Sequence, residues 1–309
     1  MNRTLKKILL VIWLSIAIVL TGFLIYAIKN DKGIGDMFIF NRLSLSGAKV
    51  QKEEKVPLDK YENIRVNFSS GNVIINATDD EELKVIQKSN KQLDEEQKFT
   101  ISKSGNTIEI NKGQKSIGIH FGTINERIEV YIPKKYEKNL KINCSSGDIE
   151  VETELKVQSL DVEQSSGDFI SSNSILVDKI SMETHSGDIE INDLVTGSYE
   201  FSSTSGDINI KSLAGTGNIE ASSGDIHVIY NQIDEYADIK ATSGDINIRV
   251  PKDLSFQFEG KCNSGDISSN LALDYKGKNE NEATAKIGQE PYKKIIAKTS
   301  SGDINISQD

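Results

Sequence analysis

The chain has 309 residues, with 36 Lys+Arg against 46 Asp+Glu and a formal charge of −10. That acidity argues against a nucleic-acid partner, which requires a basic face for phosphate contacts. Two cysteines are too few for a disulfide scaffold, and they lack zinc-site spacing.

The first predicted element is an uncharged, mostly apolar run of 21 residues, Ile8 to Ile28. As a helix it would span ~30 Å of hydrocarbon. Arg3, Lys6 and Lys7 precede it, whereas Lys29, Asp31, Lys32 and Asp36 after it nearly cancel. Positive charge stays inside, so the expectation is a short cytoplasmic N-terminus (1–7), a single transmembrane helix (8–28) and an extracytoplasmic remainder. Trp13 and Tyr26 lie near the two ends of the span. No small-x-small cleavage site follows, which favours an uncleaved anchor over a signal peptide. Residues 29–55 read as a stalk, polar except for Met37-Phe38-Ile39-Phe40. Charge divides sharply: residues 1–55 carry a net +5, and 56–309 carry −15.

From 56 to 139 short alternating segments read as strands: Val73–Ile75, Leu83–Ile86, Phe99–Ile101, Thr107–Ile110 and Ile128–Pro133. Lys103-Ser104-Gly105-Asn106 reads as a hairpin turn. This region is expected to cap one end of the domain formed by residues 140–309.

From 140 to 309 one motif dominates, Ser-Gly-Asp-Ile. Its glycines are Gly147, Gly167, Gly187, Gly206, Gly224, Gly244, Gly265 and Gly302, and Ser69-Ser70-Gly71-Asn72-Val73 is a degenerate early copy. The spacings are 20, 20, 19, 18, 20 and 21 residues, then 37. Apolar residues alternate on both sides of each Gly, and segments such as Asn192–Gly197 and Leu213–Gly217 read as turns between strands. A 20-residue unit of this kind cannot bury its own core, but stacked copies can. The expected fold is therefore all-β, a parallel β-solenoid with ~20-residue coils, each rising ~4.8 Å. The stretch 274–294 reads as an inserted loop or an eroded coil.

Stacking turns positions into columns. Three residues before Gly come Phe68, Cys144, Gln164, Thr184, Ser203, Ala221, Ala241, Cys262 and Thr299, expected to face inward. Cys144 and Cys262 then lie six coils or ~29 Å apart, beyond disulfide reach, and should be free buried thiols. The Ser before each Gly is expected to face inward and satisfy a turn group. The Gly itself calls for positive φ, as structural turns. Two residues before Gly, an outward ladder of Ser69, Ser145, Ser165, His185, Thr204, Ser222, Thr242, Asn263 and Ser300 offers a polar surface for an envelope protein or glycan.

The Asp after each Gly forms the sharpest column: Asp148, Asp168, Asp188, Asp207, Asp225, Asp245, Asp266 and Asp303. Two readings stay open. The carboxylates can cap turns, or they can form a cation ladder, with Ca²⁺ as the candidate metal. A catalytic reading, a lyase or glycosidase on a β-helix, needs carboxylates singled out by context. These are identical copies, and the chain has only five Arg. His120, His185 and His227 share no ligand spacing and read as surface residues. No catalytic residue and no cofactor is expected. The chain's last coil, after Asp303, reads as an exposed edge open to self-association.

The repeated Ser-Gly-Asp-Ile, with Val130-Tyr131-Ile132-Pro133-Lys134 leading into the first copy and Val250-Pro251-Lys252 between later ones, resembles the bacterial putative-adhesin family of β-strand-repeat domains over roughly 56–309. With the N-terminal span, the layout resembles the membrane-anchored Lia-type proteins encoded beside cell-envelope stress systems. The resemblance implies no catalytic residues. It implies a non-enzymatic role in envelope interaction, adhesion or envelope-stress response.

Overall fold

The computed structural model describes residues 48–113, 125–277 and 281–309. The apolar span 8–28, most of the expected stalk and His120 lie outside the described residues.

Wherever apolar and polar residues alternate, the chain is extended. The first strands are β1 (Lys49–Pro57), β2 (Asn63–Phe68), β3 (Asn72–Thr78), β4 (Glu82–Ser89), β5 (Thr100–Ser104), β6 (Thr107–Asn111) and β7 (Glu126–Pro133). Next come β8 (Asn139–Cys144), β9 (Ile149–Val151), β10 (Leu155–Ser166), β11 (Phe169–Ser186), β12 (Ile189–Ser205), β13 (Ile208–Ser223), β14 (Ile226–Ser243) and β15 (Ile246–Val250). The last are β16 (Phe256–Ser264), β17 (Ile267–Ser269), β18 (Asp274–Lys276), β19 (Glu282–Ile287), β20 (Lys293–Ser301) and β21 (Ile304–Gln308). Among the described residues all 21 strands belong to one hydrogen-bonded sheet. Residues 49–55, expected in the stalk, already form β1.

The central strands stack in parallel and in register, as a solenoid requires. Leu160 lies opposite Ile180, Ile180 opposite Tyr199, and Ile219 opposite Ile239. Strands β11 to β14 each run from one Ser-Gly-Asp bend to the next, 16 to 18 residues. The segments expected as turns, Asn192–Gly197 and Leu213–Gly217, are thus corners within paired strands, marked only by register shifts. At the bend, two successive residues face outward, which resets the alternation. The bend glycines of the eight full motifs have φ between +106° and +146°. A Cβ at Gly206 would lie 2.1 Å from the carbonyl oxygen of Gly187, so the coils can touch here only because the side chain is missing.

The inward column is buried throughout, from Phe68 and Cys144 to Thr299 and Cys262. The core is mostly Ile, Val, Leu and Ala. Both cysteines are free and buried. Burial pushes the Cys144 thiol up to about 11, and burial also raises Cys262.

Stacking order departs from chain order at both ends. β2 lies between β6 and β8, and β3 between β7 and β9. β20 lies between β14 and β16, and β21 between β15 and β17. The chain's last coil is therefore an interior layer and not the exposed edge expected from its position, which removes the basis for self-association through it. The intercalation also adds a layer between the two cysteines, seven rises or ~34 Å at ~4.8 Å each.

Antiparallel strands close each end. β4 covers β7 and is itself covered by β1; β5 covers β6 as the expected hairpin. β19 covers β16, and β18 covers β19. The described residues of the stretch 274–294 thus form an end cap and the start of β20, where the sequence leaves open an inserted loop or an eroded coil. The described residues of region 56–139 likewise contribute two coils of the stack as well as its cap. Among the described residues no helix is long and apolar enough to cross a membrane.

Candidate functional site

Each Asp of the motif except Asp266, in the last motif layer, accepts through Oδ1 the backbone N–H of the Asp in the next layer. Asp168 donates to Asp148 at 3.1 Å, Asp188 to Asp168 at 2.9 Å, Asp207 to Asp188 and Asp225 to Asp207 at 2.8 Å. The chain of bonds follows stacking order: Asp245 to Asp225, Asp303 to Asp245, Asp266 to Asp303. Asn72 occupies the first position and accepts from Asp148 in the same way. The column therefore ties layers together, rather than capping each turn on its own residues. Among the described residues no three His, Cys, Asp or Glu side chains group closely enough to hold a metal ion. The cation ladder does not take the form of a built site.

A second ladder uses the backbone beside it. Gly167 N–H donates to the Ser186 carbonyl, Gly187 to Ser205, and Gly206 to Ser223. The Ser side chains themselves, expected inward, are exposed, because the bend turns both residues before Gly outward. The inward satisfier of the turn is instead three residues before Gly. Ser203 Oγ donates to the Gly206 carbonyl at 3.2 Å, Thr184 Oγ1 to Gly187 at 3.4 Å, and Cys262 Sγ to Gly265 at 3.0 Å.

Outward, the polar ladder from Ser145 to Asn263 is exposed as expected, His185 with it, and His227 is exposed on the strand beyond the bend. Beside it runs the column four residues before Gly, with a valley between the two. Toward the N-terminal layers that column is acidic: Glu163 and Glu183 line a shallow groove of ≈ 220 Å³ with Ser145, Ser165 and His185. Glu163 holds Lys141 at 2.6 Å and raises that lysine above the ordinary range. Toward the C-terminal layers the column turns basic. Register pairs Lys240 with Lys298 and Lys298 with Lys261. These three, with Ser222, Thr242, Ser300 and Asn263, line a groove of ≈ 420 Å³ floored by Ala221, Ala241 and Thr299.

Stacked ammonium groups ~4.8 Å apart repel by ~0.9 kcal/mol per neighbouring pair in water. The outer two are compensated. Glu220 holds Lys240 at 3.0 Å and, with Asp238, raises it; Glu282 holds Lys261 at 2.6 Å. Lys298, between them, has no carboxylate partner among the described residues. Glu220 is the one carboxylate of this groove, and it is ion-paired, so the groove lacks the two opposed carboxyls of a glycosidase.

Two clusters at the N-terminal end had no signal in the repeat. Lys112 Nζ reaches the Ser70 carbonyl, replacing the Gly N–H that every other layer supplies, and pairs with Glu126 at 2.9 Å with both side chains almost buried. Gln87 completes it, donating to Glu126 and accepting the Phe99 N–H. Glu129, also almost buried, meets Lys88 at 2.8 Å, Arg127 at 2.7 Å and the Tyr131 hydroxyl at 3.0 Å. Burial pushes its pKa up, but the hydrogen bonds and charges of these partners outweigh it, and the net shift is downward. Burial and then Glu129 push Tyr131 up to about 12. Both clusters close the cap.

The family described as Toastrack DUF4097 matches residues 61–307. No curated protein matches the chain. Several solved structures do. A putative adhesin from Bacteroides fragilis NCTC 9343 is 12% identical, with a TM-score of 0.48, over 84% of this chain and 97% of its own. A putative lipid binding protein from Parabacteroides distasonis ATCC 8503 is 14% identical, with a TM-score of 0.46, over 84% and 96%. A putative adhesin from Parabacteroides merdae ATCC 43184 is 11% identical, with a TM-score of 0.45, over 84% and 95%.

Proposed function

The chain belongs to the Toastrack DUF4097 family, and on that premise we propose that it is a membrane-anchored, extracytoplasmic and non-enzymatic binding protein of the bacterial envelope. The observation that carries this reading is the outward face before the bends. It is a polar platform with shallow grooves, and the repeated Asp carboxylates on the other side of the bends are committed to backbone amides. Such a surface suits contact with an extended envelope polymer or protein, in adhesion or as a stress-response accessory of the Lia-type layout. The anchor is the uncharged run 8–28 with Lys6 and Lys7 on its cytoplasmic side. Net charge of −15 beyond residue 55 keeps the platform soluble and off anionic lipid headgroups.

Protease access tests the location. In intact cells stripped of their wall, external protease should remove residues beyond the span, leaving a membrane-bound stub. Protection equal to that of a cytoplasmic marker would sink the proposal. Incubation of the full chain with envelope polysaccharides should release no reducing ends or unsaturated products; release abolished by one Asp→Asn change would instead establish the carbohydrate-active enzyme.

A further inference from the structure

We propose that the basic end of the platform is a binding site for an anionic glycan, a polysaccharide bearing carboxylate or phosphodiester groups. The site exists only through intercalation. β20 enters between β14 and β16, and so places Lys298 between Lys240 and Lys261 in one in-register row. Chain order alone would set Lys240 against Lys261 and leave Lys298 at the far end. The row lies on a domain of net charge −15, its outer two members are ion-paired, and its middle member has no carboxylate partner among the described residues. An anion seated over Lys298 would relieve the repulsion from both neighbours.

The surroundings favour a sugar over a bare anion. Thr242, Ser300 and Asn263 border the groove with hydroxyl and amide groups. On the same face, four residues along β14 from Lys240, Tyr236 lies directly opposite Lys294 and is 37% exposed, so an aromatic residue stands along the strand from the cations. Half-buried Ile296 sits between, opposite Asp238. Aromatic and aliphatic surface beside fixed polar groups is how protein sites grip amphipathic ligands such as sugar rings. The row runs along the stacking direction, so a linear chain can lie across successive lysines.

The ligand class rests on the extracytoplasmic binding reading, but the two fail separately: protease access reports on location, and a binding titration on ligand. Full-length protein in non-ionic detergent is titrated with polygalacturonate, phosphomannan, neutral dextran and inorganic polyphosphate. At least one anionic glycan should bind, and rising salt should weaken the binding. The triple change Lys240→Gln, Lys298→Gln and Lys261→Gln should weaken it roughly tenfold or more, while triple replacement by Arg retains it. Tyr236→Ala should weaken glycan binding roughly threefold or more and leave polyphosphate unaffected. Preference between polygalacturonate and phosphomannan identifies the anionic group. No binding of either glycan, equal binding of dextran, or full binding by a correctly folded Gln variant would each overturn the proposal. So would polyphosphate binding that matches the glycans, together with glycan binding that ignores Tyr236→Ala.

Discussion

Gly206→Ala puts the packing of the bends to the test. Gly206 lies mid-stack at φ +134°, and a Cβ there would lie 2.1 Å from the Gly187 carbonyl oxygen and 2.6 Å from its carbon. Neither atom can step aside, since both belong to the neighbouring layer's backbone. An L-residue at such φ costs about 1–3 kcal/mol. Forcing the layers apart adds about 1–3 kcal/mol. The sum, about 2–6 kcal/mol, is a large part of the ~5–15 kcal/mol that holds a typical domain folded. Gly105→Ala supplies the contrast: φ is +58° but nothing lies within 4 Å of the new Cβ, so only the left-handed backbone term of ~1–2 kcal/mol applies. Ser205→Ala, whose side chain is exposed, should stay within about 0.5 kcal/mol. Urea unfolding followed by far-ultraviolet circular dichroism ranks the three by midpoint. Gly206→Ala no more costly than Gly105→Ala would refute close contact between layers at the bend.

Other positions separate further parts of the account. Asp207→Asn keeps an Oδ1 acceptor, as Asn72 does naturally, and should preserve the melting temperature, whereas Asp207→Ala leaves the Asp225 amide without its acceptor and should cost ~1 kcal/mol. Millimolar calcium or chelator should move neither melting curve, and a calcium-dependent rise lost in Asp207→Asn would revive the cation ladder. Lys112→Met strands Glu126 and the Ser70 carbonyl and should cost about 3–5 kcal/mol; unchanged thermal stability would show that the cap does not need the pair. Glu129 has a lowered pKa in the folded chain, so its contribution is present above the ordinary Glu value of 4.5 and lost as pH falls through the folded value. Glu129→Gln should therefore flatten the acid limb of the stability curve. The Cys144 thiol, raised to about 11 from 9.0, favours the fold below pH 9 and loses that contribution as pH rises through 11. Maleimide should accordingly label unfolded chain much faster than native chain at neutral pH; equal rates would place Cys144 outside the core.

Periodicity made the solenoid legible, since a residue type recurring every 18 to 21 positions has a physical reason only if copies lie side by side. The inward column, the free cysteines, the positive-φ bends and the outward polar ladder all follow from that one inference. Three things did not follow. The Ser before Gly looked inward because alternation was carried through the bend, where the chain in fact breaks phase. The corners near Asp193 and Leu213 read as turns because Asn, Asp, Thr and Gly interrupt the alternation there, yet ladder bonds continue through them. The order of the end layers was hidden because neighbouring copies carry near-identical strands. Ile304–Ile306 fits against Ile246–Ile248 as well as Ile267 does, so the pattern cannot rank them. The Lys240–Lys298–Lys261 row was lost with that order. Lys112 and Glu126 were invisible for a different reason: they lie outside the repeat and act where it stops.

Disulfide trapping across β14, β20 and β16 tests the intercalated order on which the basic row depends. In a Cys144→Ala, Cys262→Ala background, Thr242→Cys is paired with either Ser300→Cys or Asn263→Cys. Thr242 and Ser300 fall between the register pairs Ala241–Thr299 and Ser243–Ser301, one rise of ~4.8 Å apart and within disulfide reach, whereas Thr242 and Asn263 are two rises or ~9.6 Å apart. Mild oxidation of the native full chain should close the first pair and leave the second as free thiols. Closure of the second pair with the first left open would mean that layers follow chain order and that Lys298 does not stand between Lys240 and Lys261.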